Sequence, residues 1–191
     1  MSDRRFLRPT AALAAATSAL SVGVGFLPVS GAAAGLGPVA TGAAVSVLAL
    51  CAAITQPQAG RAFDAGRISG PVGVAAGLTL TAVGLACAMI PGLAGVLLAG
   101  VAIGIGTGII TPLAFATLAS STPEERMGQT MGAAELGREL GDAGGPLLVA
   151  GVAAAATLTT GFGALAVITF LLGAVTTPWR APTPIDTHKH Q

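Results

Sequence analysis

Three long uncharged stretches divide this chain. No Asp, Glu, Lys or Arg occurs from Pro9 to Gly60, from Ile68 to Pro123, or from Ala143 to Trp179. About 20 apolar residues are enough to span a hydrocarbon core of about 30 Å. Each stretch is too long for one such crossing and suits a helical hairpin that crosses and returns. Turn signals inside the stretches agree. Ser30 to Gly35, closed by Gly37-Pro38, splits the first, and Pro91-Gly92 splits the second. The pattern predicts helices near 9–29, 36–57, 70–90, 93–118, 128–152 and 157–177. The apolar segments are continuous runs, not alternating strands of about ten residues, which argues against a β-barrel.

Charge then sets the topology. Arg4, Arg5 and Arg8 lead the chain, and Arg61, Asp64 and Arg67 form a second cluster. Glu124, Glu125 and Arg126 form a third, which trails into Glu135, Arg138, Glu139 and Asp142; Arg180, Asp186 and Lys189 close the chain. The turns within the three hairpins carry no Lys or Arg. Positive-inside bias therefore puts both termini in the cytoplasm. The expected organisation is a cytoplasmic segment at 1–8, a six-helix transmembrane domain at 9–178 and a cytoplasmic tail at 179–191. The N-terminus is not a convincing signal peptide, because no clear stop follows Arg8 and the whole chain is equally apolar.

Composition strengthens this picture. The 191 residues are 53% hydrophobic and 9% charged, with a mean hydropathy of +0.81. A soluble domain carries roughly 25% charge. The fold class is all-α, a polytopic membrane protein of six transmembrane helices. The lipid bilayer is its first partner, and no nucleic-acid patch is visible. Cys51 and Cys87 lie inside apolar runs and read as two small buried thiols. His188 and His190 flank Lys189 in a Pro-containing tail and read as tail residues, not a metal site. No cofactor is expected. There is no His/Glu metal pair, no Gly-x-Ser-x-Gly nucleophile and no paired Cys motif in the helices, so an enzyme is not expected. Glycine recurs at four-residue spacing in Gly73/Gly77, Gly100/Gly104/Gly108 and Gly137/Gly141/Gly145. That spacing lets helix backbones approach closely in lipid. Trp179 is placed at the cytoplasmic interface.

The candidate chemistry is concentrated in two places. In the fifth helix Glu135, Arg138, Glu139 and Asp142 stand at i, i+3, i+4 and i+7 and share one face. Both glutamates can pair with Arg138, which can also reach Asp142. From Gly128, Asp142 lies about 20 Å along the helix, past mid-depth of a bilayer. An ionisable group there costs on the order of 2.5–3.5 kcal/mol unless it is paired or faces water. One reading is a polar stripe lining a transport path, with Asp142 or Glu139 taking up a proton. The other is a structural salt-bridge set near the cytoplasmic mouth. The second place is the loop Gly60-Arg61-Ala62-Phe63-Asp64-Ala65-Gly66-Arg67. Its glycines permit a tight turn and its charges can lock that turn. Gln56, Thr107 and Thr111 are expected to bond from helix to helix, and Pro57 and Pro112 to kink or end their helices.

That loop resembles the signature of the major facilitator superfamily, written roughly G-x-x-x-D-R-x-G-R. Gly60, Asp64, Gly66 and Arg67 match once one residue is deleted, and Ala65 stands where the family has its usual Arg. Thr122-Pro123-Glu124-Glu125-Arg126-Met127-Gly128 is similar to the family's P-x-E-R-x-G lead into a fifth or eleventh helix. Gly137, Gly141, Gly144, Gly145 and Pro146 loosely resemble the glycine-proline run of its drug antiporters. The resemblance spans essentially the whole chain. The family's first half usually carries an Arg within its fourth helix, which is missing here, and Arg4 to Pro9 resembles the end of its central linker. The chain therefore resembles the C-terminal six-helix half of a drug- or sugar-efflux member.

The resemblance implies a secondary active transporter in the cell membrane, a proton-coupled antiporter exporting small organic molecules. It also implies alternating access between two halves around a midplane site. The expected partners are a small-molecule substrate and a second six-helix half, from a homodimer or a separate polypeptide. In the family the loop Asp docks at the start of the opposite half's fifth helix, which would pair Asp64 with the region of Gly128 and Gln129. The alternative is a truncated or split-gene fragment that keeps its packing motifs and has no transport of its own.

Overall fold

The structure, a computed structural model, describes residues 3–176. Trp179, Arg180, Asp186, His188, Lys189 and His190 lie outside the described residues. Among the described residues there are six long helices and no strand: α1 (Asp3–Ala33), α2 (Pro38–Asp64), α3 (Gly70–Cys87), α4 (Leu93–Ser121), α5 (Met127–Ala155) and α6 (Leu158–Thr176). A single turn of 3₁₀ helix, Glu124–Arg126, leads into α5. All six predicted helices are present, though their ends differ. α1 and α2 extend into the charged clusters at the ends of their apolar runs, because a bilayer span does not have to end where the hydrocarbon does. Pro57 and Pro112 neither end nor break their helices; α2 and α4 run through both.

Five helices are long and apolar enough to cross a membrane: α1 from Phe6, α2, α3, α4 and α6. α5 has 29 residues, about 43 Å at 1.5 Å per residue, but its first half carries the four charged residues. It packs along α1 and α6, so it lies among the crossing helices.

Turn chemistry explains how the hairpins close. At the end of α1, Gly35 takes φ +83°, Leu36 N–H donates to Gly31 O at 3.0 Å and Gly35 N–H to Ala32 O at 3.0 Å. At the end of α2, Gly66 takes φ +66°, Arg67 N–H donates to Ala62 O and Gly66 N–H to Phe63 O, each at 2.9 Å. Both are Schellman caps, with a left-handed glycine just past the helix and two orphan carbonyls satisfied. Pro38 at the first position of α2 and Pro71 at the second of α3 then lie in the opening turns, where a missing N–H costs nothing.

α4 and α1 hold the middle of the bundle. α4 packs against α2, α3 and α1; α1 packs against α5; α6 closes the far side against α3 and α5. Two apolar clusters stack along the bundle. One joins Leu13, Val74, Leu78, Ile110, Leu113 and Leu118. The other joins Val22, Leu48, Leu85, Val96, Ile103 and Phe162. All three glycine series are contact ridges. A Cβ on Gly100 would stand 2.8 Å from Ala44 O, and one on Gly108 3.0 Å from Ala52 O. Gly77 sets its backbone against Gly106 O, 2.9 Å from where its Cβ would be. Backbone contact at this range, closed to any larger side chain, replaces the hydrophobic drive that lipid withholds.

Candidate functional site

α5 reads differently around its circumference. Its buried edge is glycine: Gly141 and Gly145 are buried and Gly137 partly so. These three residues face Thr10, Ala14 and Ser18 of α1, one helical turn apart on each helix. Both series ascend together, so α1 and α5 run parallel. A Cβ on Gly145 would come 2.6 Å from Ser18 Cα, and one on Gly141 would overlap the Ala14 carbonyl. The two backbones therefore lie nearly in contact over two turns.

That proximity is fastened by hydroxyl groups. Thr17 donates to Arg138 O at 2.8 Å, shared with Leu13 O of its own helix at 3.0 Å. Ser18 lies 2.8 Å from Gly141 O and 2.8 Å from its own Ala14 O. Ser21, one turn further along, donates to a side chain instead: Oδ1 of Asp142. Nothing in the hydrophobic pattern singles out these three residues, because Ser and Thr occur throughout the apolar runs. Their i, i+1, i+4 spacing on the helix that packs against a glycine ridge was the available signal.

Next to the glycine edge stands the charged stripe. Arg138 Nε and Nη2 both donate to Oε1 of Glu135, at 2.8 and 2.6 Å, and Nη2 also reaches Oε1 of Glu139. The predicted pairing of both glutamates with Arg138 is thus formed. No ion pair joins Arg138 to Asp142 among the described residues; Asp142 is held by Ser21. The side chains of Glu135, Arg138 and Glu139 are 48%, 31% and 56% exposed. Three carboxylates against one guanidinium leave the stripe net negative. Pro146, four residues past Asp142, has no N–H to give to the Asp142 carbonyl. The helical ladder lacks a rung at the stripe's far end.

Beyond the stripe α5 turns leucine to the outside: Leu136, Leu140 and Leu147 are 67–74% exposed. Charge and leucine side by side on an outer face suit neither lipid nor water alone.

The loop at 60–67 is ordered by its backbone. Gly60 lies within α2 and Gly66 forms the cap. Asp64 and Arg67 are exposed. Among the described residues no ion pair includes Arg61, Asp64 or Arg67, so charge does not lock this turn as expected; the left-handed glycine does. Gly128 and Gln129, in the first turn of α5, are exposed, and no side chain caps that helix start. Thr107 and Thr111 do not bond across helices: they donate to Ile103 O at 2.8 Å and Thr107 O at 3.0 Å within α4. A helical Thr hydroxyl finds the carbonyl one turn back on its own helix without any tertiary partner. Cys51 and Cys87 are partly buried free thiols.

Six helices in three hairpins, glycine ridges between them and a glycine-capped loop after the second helix coincide with one family model. It describes the Major Facilitator Superfamily and matches residues 10–191. The chain belongs to that superfamily. No curated protein matches the chain. As a major facilitator protein it is a membrane transporter by kind, and the family is not one of enzymes. Its six helices correspond to one half of the two-half architecture described above.

Proposed function

We propose that this chain forms one half of a secondary active transporter that exports small organic molecules in exchange for protons. It works at the cell membrane with its described arginine-bearing segments, at residue 8, at 61–67 and at Arg126, on the cytoplasmic side. The observation that carries this reading is the placement of the α5 stripe. Four ionisable side chains stand on the open face of a helix that packs along two crossing helices, α1 and α6. Lipid would charge several kcal/mol for such a face. A second six-helix half across it would leave the carboxylates lining a wet path and cover Leu136, Leu140 and Leu147. That half is a second copy or another polypeptide segment. The stripe and the exposed leucines support it equally.

Within the stripe the arrangement favours Asp142 as the proton acceptor. Glu135 and Glu139 share the single positive charge of Arg138, whereas Asp142 has a neutral partner, Ser21, and lies deepest along the helix. The test is proton-driven flux in proteoliposomes. Asp142→Asn should abolish proton-dependent exchange, a fall of at least about 100-fold on the scale of lost acid–base groups, with the helical signal unchanged. Undiminished flux in that variant would make Asp142 a packing residue. Flux missing from the unaltered protein would favour the alternative reading, a six-helix fragment without its pathway; the exposed position of the stripe is the observation behind that alternative.

A further inference from the structure

One hydroxyl in the α1–α5 contact behaves differently from its neighbours. Thr10, Thr17 and Ser18 all reach the carbonyl four residues back on their own helix: Phe6 O at 2.8 Å, Leu13 O at 3.0 Å and Ala14 O at 2.8 Å. Ser21 has the same option in Thr17 O but gives its proton to Asp142 instead. A hydroxyl has one proton to give. Thr17 and Ser18 share theirs between α5 and their own helix, whereas Ser21 gives its proton to the carboxylate.

Resting on the reading of Asp142 as the proton acceptor, we propose that Ser21 is its positioning residue. While Asp142 is charged, the Ser21 hydroxyl donates to Oδ1 and ties α5 to α1 beside the missing rung at Pro146. When a proton from the path adds to the carboxylate, an acceptor oxygen remains but its charge is gone, and the bond from Ser21 falls to the strength of a neutral one. Thr17 O then competes on even terms for the Ser21 proton, and the protonated Asp142 has its own O–H to give. Only one O–H bond forms, on Asp142, and no other bond changes. Below this point Thr17 and Ser18 keep their bonds to Arg138 O and Gly141 O, so the tie weakened is the one at the Asp142 level. The α1–α5 contact is thereby coupled to the charge on one carboxylate.

Few other groups act on Asp142. From α1 only Ser21 faces it, since that helix has no charged residue after Arg8. α6 and α4, which also pack on α5, carry no ionisable acid or base. Glu124, Glu125 and Arg126 lie at the helix start, more than three turns away. On α5 itself Arg138 lies one turn back and feels the Asp142 charge, with Glu139 beside it.

The experiment uses dicyclohexylcarbodiimide, which attacks protonated carboxyls in apolar surroundings, on the full chain in liposomes near neutral pH. Labelling of Asp142 and Glu139 is counted separately by peptide mass spectrometry. Losing a hydrogen bond to a charged group shifts its charge by the order of tenfold in population, about 1.4 kcal/mol. Ser21→Ala should therefore raise the Asp142 labelling rate about tenfold and leave Glu139 unchanged. Ser21→Thr, which restores the hydroxyl, should return it to the starting rate. Equal Asp142 labelling in the unaltered protein and Ser21→Ala would overturn the proposal. So would a rise at Asp142 and Glu139 alike, which reports loosened packing. If Asp142 labelling follows the Ser21 hydroxyl while proteoliposome flux ignores the proton gradient, the positioning role stands and the proton-coupled reading falls.

Discussion

At the scale of single residues, the glycines of α5 separate into two kinds that sequence spacing alone does not distinguish. Gly141 and Gly144 are three positions apart in the same run. A Cβ on Gly141 has only the Ala14 backbone to meet, and backbone cannot turn aside as a side chain can; around Gly144 there is open space within 4 Å. Gly141→Ala should push α5 off α1 and cost about 1–3 kcal/mol as an overpacking change. It should also break the Ser21 bond to Asp142, which depends on the same separation. Gly144→Ala should be neutral or stabilising by up to about 1 kcal/mol, the ordinary helix gain over glycine. Thermal unfolding in detergent, followed by helicity, checks both. Equal midpoints for the two variants would mean that the α1–α5 approach is looser than described.

At the scale of elements, the 60–67 loop divides its work between two glycines. Gly60 is an ordinary helical residue with open space around it, and Gly66 is the left-handed cap. Gly66→Ala should cost about 1–2 kcal/mol, because a Cβ in that conformation crowds the next carbonyl; Gly60→Ala should not destabilise. The same unfolding assay decides it, and a Gly66→Ala midpoint equal to that of Gly60→Ala would sink the cap assignment. The loop also shows how far the sequence carries. Three uncharged runs and their Gly-Pro breaks place all six helices, because hydrocarbon thickness and backbone hydrogen bonding leave few alternatives. The i, i+3, i+4 pairing of Glu135, Arg138 and Glu139 is legible for the same kind of reason: helix geometry alone brings them together. What the loop charges do is not legible. Exposed charges near water gain little from each other, and the backbone had already closed the turn. Asp142 marks the limit. Its reach toward Arg138 follows from spacing, but its partner Ser21 is 121 positions earlier in the chain, and only the packing of α1 on α5 brings the two side by side.

At the scale of the whole molecule, the proposed second half makes a prediction about the surfaces left open. α5 exposes its stripe and its leucines, while α2 and α6 expose aliphatic and aromatic side chains, Val39, Leu50 and Ile54 on one and Val167, Phe170 and Leu171 on the other. At the loop end of the bundle Asp64 projects from the close of α2 with no ion pair among the described residues. The start of α5 has no capping side chain and presents the positive end of its dipole, where an anion gains about 0.3–1 kcal/mol at an exposed site. Asp64 and the start of α5 sit on separate helices of one six-helix unit, and Glu124 and Glu125 already stand in the turn before α5, so Asp64 would add to that end and not complete it. Across two units, Asp64 of one would meet Gly128 and Gln129 of the other. Asp64→Asn keeps the shape and removes the charge, so it should lower the paired fraction of six-helix units a few-fold, measured by energy transfer between labelled copies in liposomes over a dilution series. The effect should shrink as salt is raised, since both groups face water. Asp64→Glu should keep most of the pairing. A paired fraction that ignores Asp64→Asn at low salt would separate the loop from the interface and leave the proposed pairing to the α5 face.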